Sequence, residues 1–483
     1  MPTRQSYEMV IGLEVHVQLS TLSKAFCADD AAFGGEPNTH ISAISLAHPG
    51  TLPRANARHI EYAVRLGLAL GCHIQPTNAF DRKNYFYADL PKGYQITQDK
   101  KPVCVGGGLE IQLPGYRKYI RLHHIHMEED AGKSIHDLDP EYSFVDLNRA
   151  GVPLLEIVTE PDLRSPEEVE VFMTAMRQLV RYLEISDGNM EAGSLRCDCN
   201  ISVRQKGDTG LNQRCEIKNM NSMKFARRAL EFEFQRQSEM METGRTVEQQ
   251  TLHFDPVTGI TSPLRDKENA HDYRYFPDPD LPPVVISPEQ LAAIQAAMPA
   301  LPRVMEERFV HTYGLPQSDA LQLTEDKTTA LYYEKLALAT GYYKATANLV
   351  IHKIMPWCEE HGLSLAEFPL PSPQISAFLE MIESGKVSHS IAYQRILPVL
   401  LDQPGASPLS LAESLNLLQS SDEAWMTDLV REVLARYPDK VREYYKGKKG
   451  LIGFFMGELM KVSQGRIDPK TANALLEKTL KDM

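Results

Sequence analysis

The 483-residue chain has no run approaching 18 apolar residues, and its opening MPTRQSYEM lacks the apolar core of a secretory signal. Both absences lead to the expectation of a cytoplasmic protein that neither crosses a membrane nor is exported. Cysteine is sparse. Seven are scattered at positions 27, 72, 104, 197, 199, 215 and 358, an odd number in a long chain. That fits reduced thiols rather than a disulfide framework. Cys197-x-Cys199 is the one close pair, and no second pair completes a tetrahedral zinc site, so both read as structural. Several catalytic signatures are missing too. DAGKS at 130–134 resembles the end of a phosphate loop, but Met127 stands where the first glycine belongs, and VGGGL at 105–109 has no helix after it. There is no Gly-x-Ser-x-Gly elbow, and no Cys and His read as a nucleophile with its base.

What remains is ordinary globular composition, 43% hydrophobic and 24% charged, in a chain long enough for about three domains. Net charge is −13, which weighs against nonspecific nucleic-acid binding by the whole surface. From Arg436 to the end, however, 11 Lys or Arg face 6 Asp or Glu, a local +5 that leaves −18 on the rest. A basic tail on an acidic body is either a polyanion contact or a solvated helical face.

Residues 1–290 read as strand-rich, with helices over about 55–70, 165–183 and 222–243. The second opens on a Ser165-x-x-Glu168 capping box with Pro166 at its first position. DYRYFPDPDLPP at 272–283 is a poor helix former and a natural boundary, and two Pro-rich breaks follow it at 368–373 and 402–408; residues 291–405 read as a helical domain and 406–483 as a small helical tail.

The chemistry is concentrated in strands. In VIGLEVHVQL, 10–19, alternation sets Glu14 and His16 on one face and Ile11, Leu13, Val15 and Val17 on the other. Carboxylates recur in strand-like segments at Glu129 (with His123, Ile125 and Met127), Glu156, Asp198 and Glu216. Carboxylates are depleted in strands, so several against apolar opposite faces suggest one acidic surface. Hard oxygen ligands with one imidazole suit Mg²⁺ or Mn²⁺, ions that handle phosphates. Unrelated surface carboxylates would give the same string.

IGLEVHVQL, FDRKNYFYADLPKGYQITQ, HMEEDAGKS, VDLNRAGVPLLEIVTEPD, GSLRCDCNIS, EIKNMNS, DYRYFPDPDLPP and GKKGLIGFFMGELMKVSQG together closely resemble the B-subunit family of the aspartyl/glutamyl-tRNA amidotransferases, from about residue 7 to 478. The resemblance implies an α+β fold: a catalytic cradle, a helical domain and a YqeY-like all-α tail. It implies ATP- and Mg²⁺-dependent phosphorylation of the side-chain carboxylate of Glu or Asp misacylated onto tRNA(Gln) or tRNA(Asn). Ammonia from a partner amidase (glutaminase), the A subunit, would displace the phosphate, and a small C subunit would complete a heterotrimer. By motif, His16, Glu129 and Glu156 match one Mg²⁺ site, and Glu14, Asp198 and Glu216 the second. Lys83, Lys133, Lys218 and Arg274 are candidate phosphate ligands, and Lys446, Lys448 and Lys449 candidate tRNA contacts. Where relatives carry a four-cysteine zinc knuckle, only Cys27 remains beside Asp29, Ser42 and Ser45, so no structural zinc is expected. The competing functions are a two-metal RNA nuclease, which would cleave tRNA with Mg²⁺ alone, and a non-catalytic tRNA-binding protein, which would show no tRNA-dependent ATP hydrolysis.

Overall fold

In the computed structural model, residues 6–220, 222–264, 274–419, 422–463 and 466–482 are described. Asp272 and Tyr273, which open the expected boundary segment, lie outside them. The chain divides into two compact units, residues 1–302 and 303–483.

The first unit is built on a sheet of ten strands among the described residues. Five of them position the site: β1 (Tyr7–Gln18), β2 (Tyr116–Glu129), β3 (Pro153–Thr159), β4 (Leu195–Gln205) and β5 (Cys215–Met220). They lie side by side in the order β5-β4-β1-β3-β2, each antiparallel to its neighbour. On β1 the odd positions Ile11, Leu13, Val15 and Val17 are at most 1% exposed. They meet helices α1 (Ala57–Ala69), α2 (Pro166–Tyr182) and α3 (Met223–Glu242) through Val64, Phe172, Met176 and Leu230. Burying each such aliphatic or aromatic side chain contributes about 1.5–3 kcal/mol, and this fixes which face of the sheet points inward. Cys197 and Cys199 belong to this buried layer.

Helix α2 starts where its sequence says. Ser165 accepts a hydrogen bond from the Glu168 N–H at 3.2 Å, and Pro166 follows it. The reciprocal half of the box is replaced. The Glu168 carboxylate accepts from the Arg164 N–H (2.7 Å), from Lys118 Nζ (2.7 Å) and from the Tyr116 hydroxyl (3.0 Å). Helix α4 (Pro288–Ala296) lies at the expected domain boundary, yet Leu291 and Ile294 pack on the core of the first unit. The division therefore falls about a helix later than residue 290.

The second unit is helical throughout its described residues. Two of its helical runs widen into π turns, Val350–Ile354 and Ala392–Ile396, just before Pro356 and Pro398. Proline lacks the N–H for the carbonyl four residues back and its ring crowds that carbonyl, so the turn ahead of it opens. The last four helices, from Glu423 on, enclose a cluster of their own around Val430, Val433, Phe455, Leu459 and Leu476.

His59 of α1 is 1% exposed and donates from Nε2 to the Leu154 carbonyl of β3, 3.1 Å away. Burial pushes its pKa down from 6.5 to about 4. The unfolded chain therefore binds a proton that the folded chain refuses. Stability is full above pH 6.5 and falls as pH drops toward 4, by up to about 3 kcal/mol from this group. Denaturant unfolding at pH 7 and pH 4.5 should show a smaller acid loss in His59→Gln than in the unmodified chain.

Candidate functional site

The face of the sheet opposite the helices carries the polar residues, and strand register determines which of them meet. His16 lies opposite Glu156 of β3, and Glu156 lies opposite His126 of β2. On the other side of β1, Glu14 lies opposite Asp198 of β4, and Asn200 opposite Glu216 of β5. Two groups of potential metal ligands result: His16, Glu128 and Glu156, and Glu14, Asp198 and Glu216. Within each, the ligand atoms lie within 4.8 Å of one another.

Glu128 therefore takes the place that motif matching assigned to Glu129. In β2, Ile125 and Met127 are fully buried on the inner side, and Glu129 shares their parity. Its carboxylate is engaged by Lys92 and by the Ile96 N–H at 3.0 Å. Alternation turns His124, His126 and Glu128 to the acidic face.

The electrostatics of each group follow from crowding. Burial opposes charge on His126, but Glu156 and Glu128 overcome it and raise its pKa to about 10. His126 Nε2 is 3.4 Å from Glu156 and 3.5 Å from Glu128. Burial likewise opposes charge on His16, whose pKa is raised by Glu156, 3.3 Å away, and by Glu128, 3.8 Å away. Burial alone would lift Glu156, yet His126 and His16 hold it well below the carboxylate range. Glu14 has no such partner. Burial, then Glu156 and Glu216, raise its pKa, with Asn200 donating to it at 3.0 Å.

Lys218 bridges the second group, 2.6 Å from Glu216 and 3.1 Å from Asp198. Of the other candidate phosphate ligands, Lys83 lines the cavity above the site, paired across two short strands with Tyr275, which also lines it. Arg274 and Lys133 do not. Arg274 is one residue off the Tyr275 parity and is exposed, and Lys133 is exposed on the separate ribbon Lys133–Ile135/Phe144–Asp146. The cavity measures about 550 Å³. Glu14, Glu128 and Glu156 border it, together with His124, Arg214 and Tyr275, none of which the sequence singled out as site residues. Three imidazoles form a chain along its edge: His123 Nδ1 to His124 Nδ1 at 2.7 Å, and His124 Nε2 to His126 Nδ1 at 3.0 Å.

Cys27, Asp29, Ser42 and Ser45 converge without a four-cysteine set. Cys27 Sγ lies 3.5 Å from Ser45 Oγ, Ser45 donates to the Asp29 carboxylate, and hydrogen bonds from Ser45, Ser42 and Cys27 outweigh burial and lower the Asp29 pKa. Hydrogen bonds close this loop. In the tail, Lys448 pairs with Glu443 at 3.1 Å and Lys449 lies over the Tyr444 ring at 4.0 Å, while Lys446 is exposed.

Among the described residues no helix is long and apolar enough to cross a membrane. The family model for the GatB/GatE catalytic domain matches residues 9–292, and that for the GatB domain matches 331–480. The chain is 45% identical to the B subunit of the aspartyl/glutamyl-tRNA(Asn/Gln) amidotransferase of Thermodesulfovibrio yellowstonii, over 99% of this chain and 100% of that protein. The corresponding B subunits of Myxococcus xanthus and Thermosynechococcus vestitus are each 46% identical, over 99% and 98% of this chain and 99% and 97% of their own. An acidic sheet face, a helical second unit and likeness over nearly the full length agree, and the chain belongs to the family of aspartyl/glutamyl-tRNA(Asn/Gln) amidotransferase B subunits.

Proposed function

We propose that this chain is the ATP-using component of a cytoplasmic tRNA amidotransferase that converts Glu on tRNA(Gln), Asp on tRNA(Asn), or both, to the amide. The observation that carries the reading is the pair of three-residue ligand groups along β1, which border one cavity through Glu14, Glu128 and Glu156. A carboxylate oxygen of the misacylated amino acid attacks the γ-phosphorus of ATP, the bond to ADP breaks, and an acyl phosphate forms. Ammonia then attacks the acyl carbon, phosphate leaves, and the nitrogen gives up a proton. A glutaminase partner, the A subunit, would supply the ammonia, since this chain has no nucleophile motif for glutamine, and a small C subunit would complete the assembly.

His16, Glu128 and Glu156 would hold one Mg²⁺, and Glu14, Asp198 and Glu216 the second. Oxygen-dominated sets with a single imidazole fit that ion and not zinc. Bound there, Mg²⁺ would screen the repulsion between the attacking carboxylate and the triphosphate. Lys83 and Arg214, which line the cavity, would meet phosphate oxygens, and Lys218 pairs with Asp198 and Glu216.

Mn²⁺ titration followed by electron paramagnetic resonance tests the assignment. Glu128→Gln and Glu156→Gln should each lose about one bound ion per chain, whereas Glu129→Gln should keep full binding. The first two should lower amide formation roughly 100-fold or more, the scale of removing one electrostatic stabiliser of a transition state. Retention of both ions in Glu128→Gln would contradict the assignment. Elemental analysis should find far less than one zinc per chain, and a stoichiometric value would refute the hydrogen-bonded closure around Cys27. In the tail, Lys446/Lys448/Lys449→Ala should flatten the dependence of log K for tRNA on log salt by roughly 0.9 for each phosphate interaction removed. Lys446 should account for the largest share, because Lys448 and Lys449 are already engaged within the chain. An unchanged slope would make the basic tail a solvated helical face.

A further inference from the structure

The second unit contains a cleft of about 400 Å³ that the reaction above leaves unused. One wall is aromatic. Tyr343 stacks on Tyr313 with ring centroids 4.4 Å apart and planes 12° from parallel, and Tyr313 stacks on Phe309 at 5.6 Å. The stack is fixed from behind. Tyr333 donates its hydroxyl to the Tyr343 carbonyl at 3.2 Å. Tyr313 donates to Glu334, also at 3.2 Å, and Glu334 pairs with Arg308 at 2.5 Å.

Of the remaining polar lining groups, His389 lies against the Tyr393 ring at 4.3 Å, and Tyr342, Lys344, Asn348 and Glu383 have no side-chain hydrogen bond or ion pair among the described residues. Tyr342 is half-buried, with its backbone N–H held by Thr340 Oγ1 at 3.2 Å, but its ring stacks on no other ring among the described residues. Lys344 and Asn348 stand four residues apart on one helical face, both exposed. Neither they nor Glu383, across the cleft, have an ion pair or a side-chain hydrogen bond among the described residues. The aromatic wall thus stands beside a cation, an amide and a carboxylate that have no side-chain partner among the described residues.

The chemistry selects the class of ligand. An aromatic face takes the π surface of a nucleobase, and every base offers one. A lone lysine matches one phosphodiester, whereas a free triphosphate would face Glu383 with a single cation to offset it. Asn and Glu side chains read the donors and acceptors of a base edge once the base is out of its stack. An apolar peptide anchor would instead desolvate two unpaired charges, which is costly. We propose that this cleft seats one unpaired, unstacked nucleotide of the tRNA substrate, with its base against Tyr342 and its phosphate at Lys344. The inference rests on the tRNA-directed function proposed above and adds a contact in the helical unit, outside the basic tail.

The test uses the full-length chain and a tRNA(Gln) or tRNA(Asn) transcript. Affinity is measured by filter binding, and 2′-hydroxyl acylation footprinting gives nucleotide resolution. Tyr342→Ala should raise Kd on the order of tenfold, as loss of one base–aromatic stack does. It should also restore reactivity at a single unpaired nucleotide that the unmodified chain protects. Tyr342→Phe, which keeps the ring, should retain both affinity and protection. Lys344→Ala should flatten the salt dependence by roughly 0.9. If Tyr342→Ala and Lys344→Ala bind tRNA with unchanged affinity and footprint, the cleft is not an RNA site, while the proposed function stands. If the unmodified chain neither binds tRNA nor protects any nucleotide, the proposed function fails first and this inference fails with it.

Discussion

Repulsion among carboxylates is the constraint to which the first unit answers. Five carboxylates share one sheet face with the imidazoles of His16, His124 and His126, of which His126 is buried. Two like charges about 4 Å apart cost on the order of 4 kcal/mol at an effective dielectric near 20. The fold meets this cost unevenly. Around Glu128 and Glu156, His16 and His126 supply positive charge, and Glu156 stays ionised in consequence. Around Glu14 compensation is thinner. Lys218 pairs with Asp198 and Glu216, and its charge together with the hydrogen bond from Asn200 does not outweigh burial and the neighbouring carboxylates at Glu14, whose pKa stays raised. The hydrophobic layer beneath allows no relaxation, because moving β1 would pull Leu13 and Val15 out of a close-packed core. Site geometry and core packing are thus the two faces of the same strands.

Much of this was legible in the sequence. Period-two alternation in β1 assigned Glu14 and His16 to the polar face, and the register that the sequence leaves open puts Asp198 and Glu156 on either side of them. The Pro-containing capping motif located α2 to the residue, although Glu168 bonds back to Arg164 and to two side chains of β2 instead of to Ser165. The motif match named Glu129, whereas the group of potential ligands on the acidic face contains Glu128. The alternation of Glu129 with Ile125 and Met127 turns it inward, and a face shared with His126 picks out Glu128. Lys133 and Arg274 do not border the cavity, because being inside a motif does not say which side of a short strand a residue occupies. Nothing in the sequence pointed to the cleft around Tyr342, since its lining comes from separate helices and shows no local periodicity.

The two units solve their problems with different means. In the first, the candidate ligands sit on strands whose register is fixed by buried apolar neighbours. In the second, prolines at 356 and 398 reshape helices that would otherwise run straight, and a ladder of tyrosines is tied by hydroxyl bonds to backbone and carboxylate. Tyrosine suits that use because it buries a large ring while its hydroxyl stays satisfied.

Adjacent glutamates 128 and 129 serve opposite sides of one strand, one toward the cavity and one toward Lys92. Sliding β2 by a single residue would exchange them and turn Ile125 and Met127 outward at the same time. A bulge at His123 already takes up one residue nearer the start of the strand, so the stretch with a counted length is His124 to Glu128. Over evolutionary time this stretch can change its side chains but cannot gain or lose one residue, whereas loops such as 136–143 are free to vary in length. Insertions and deletions among relatives should respect that boundary even where identities do not.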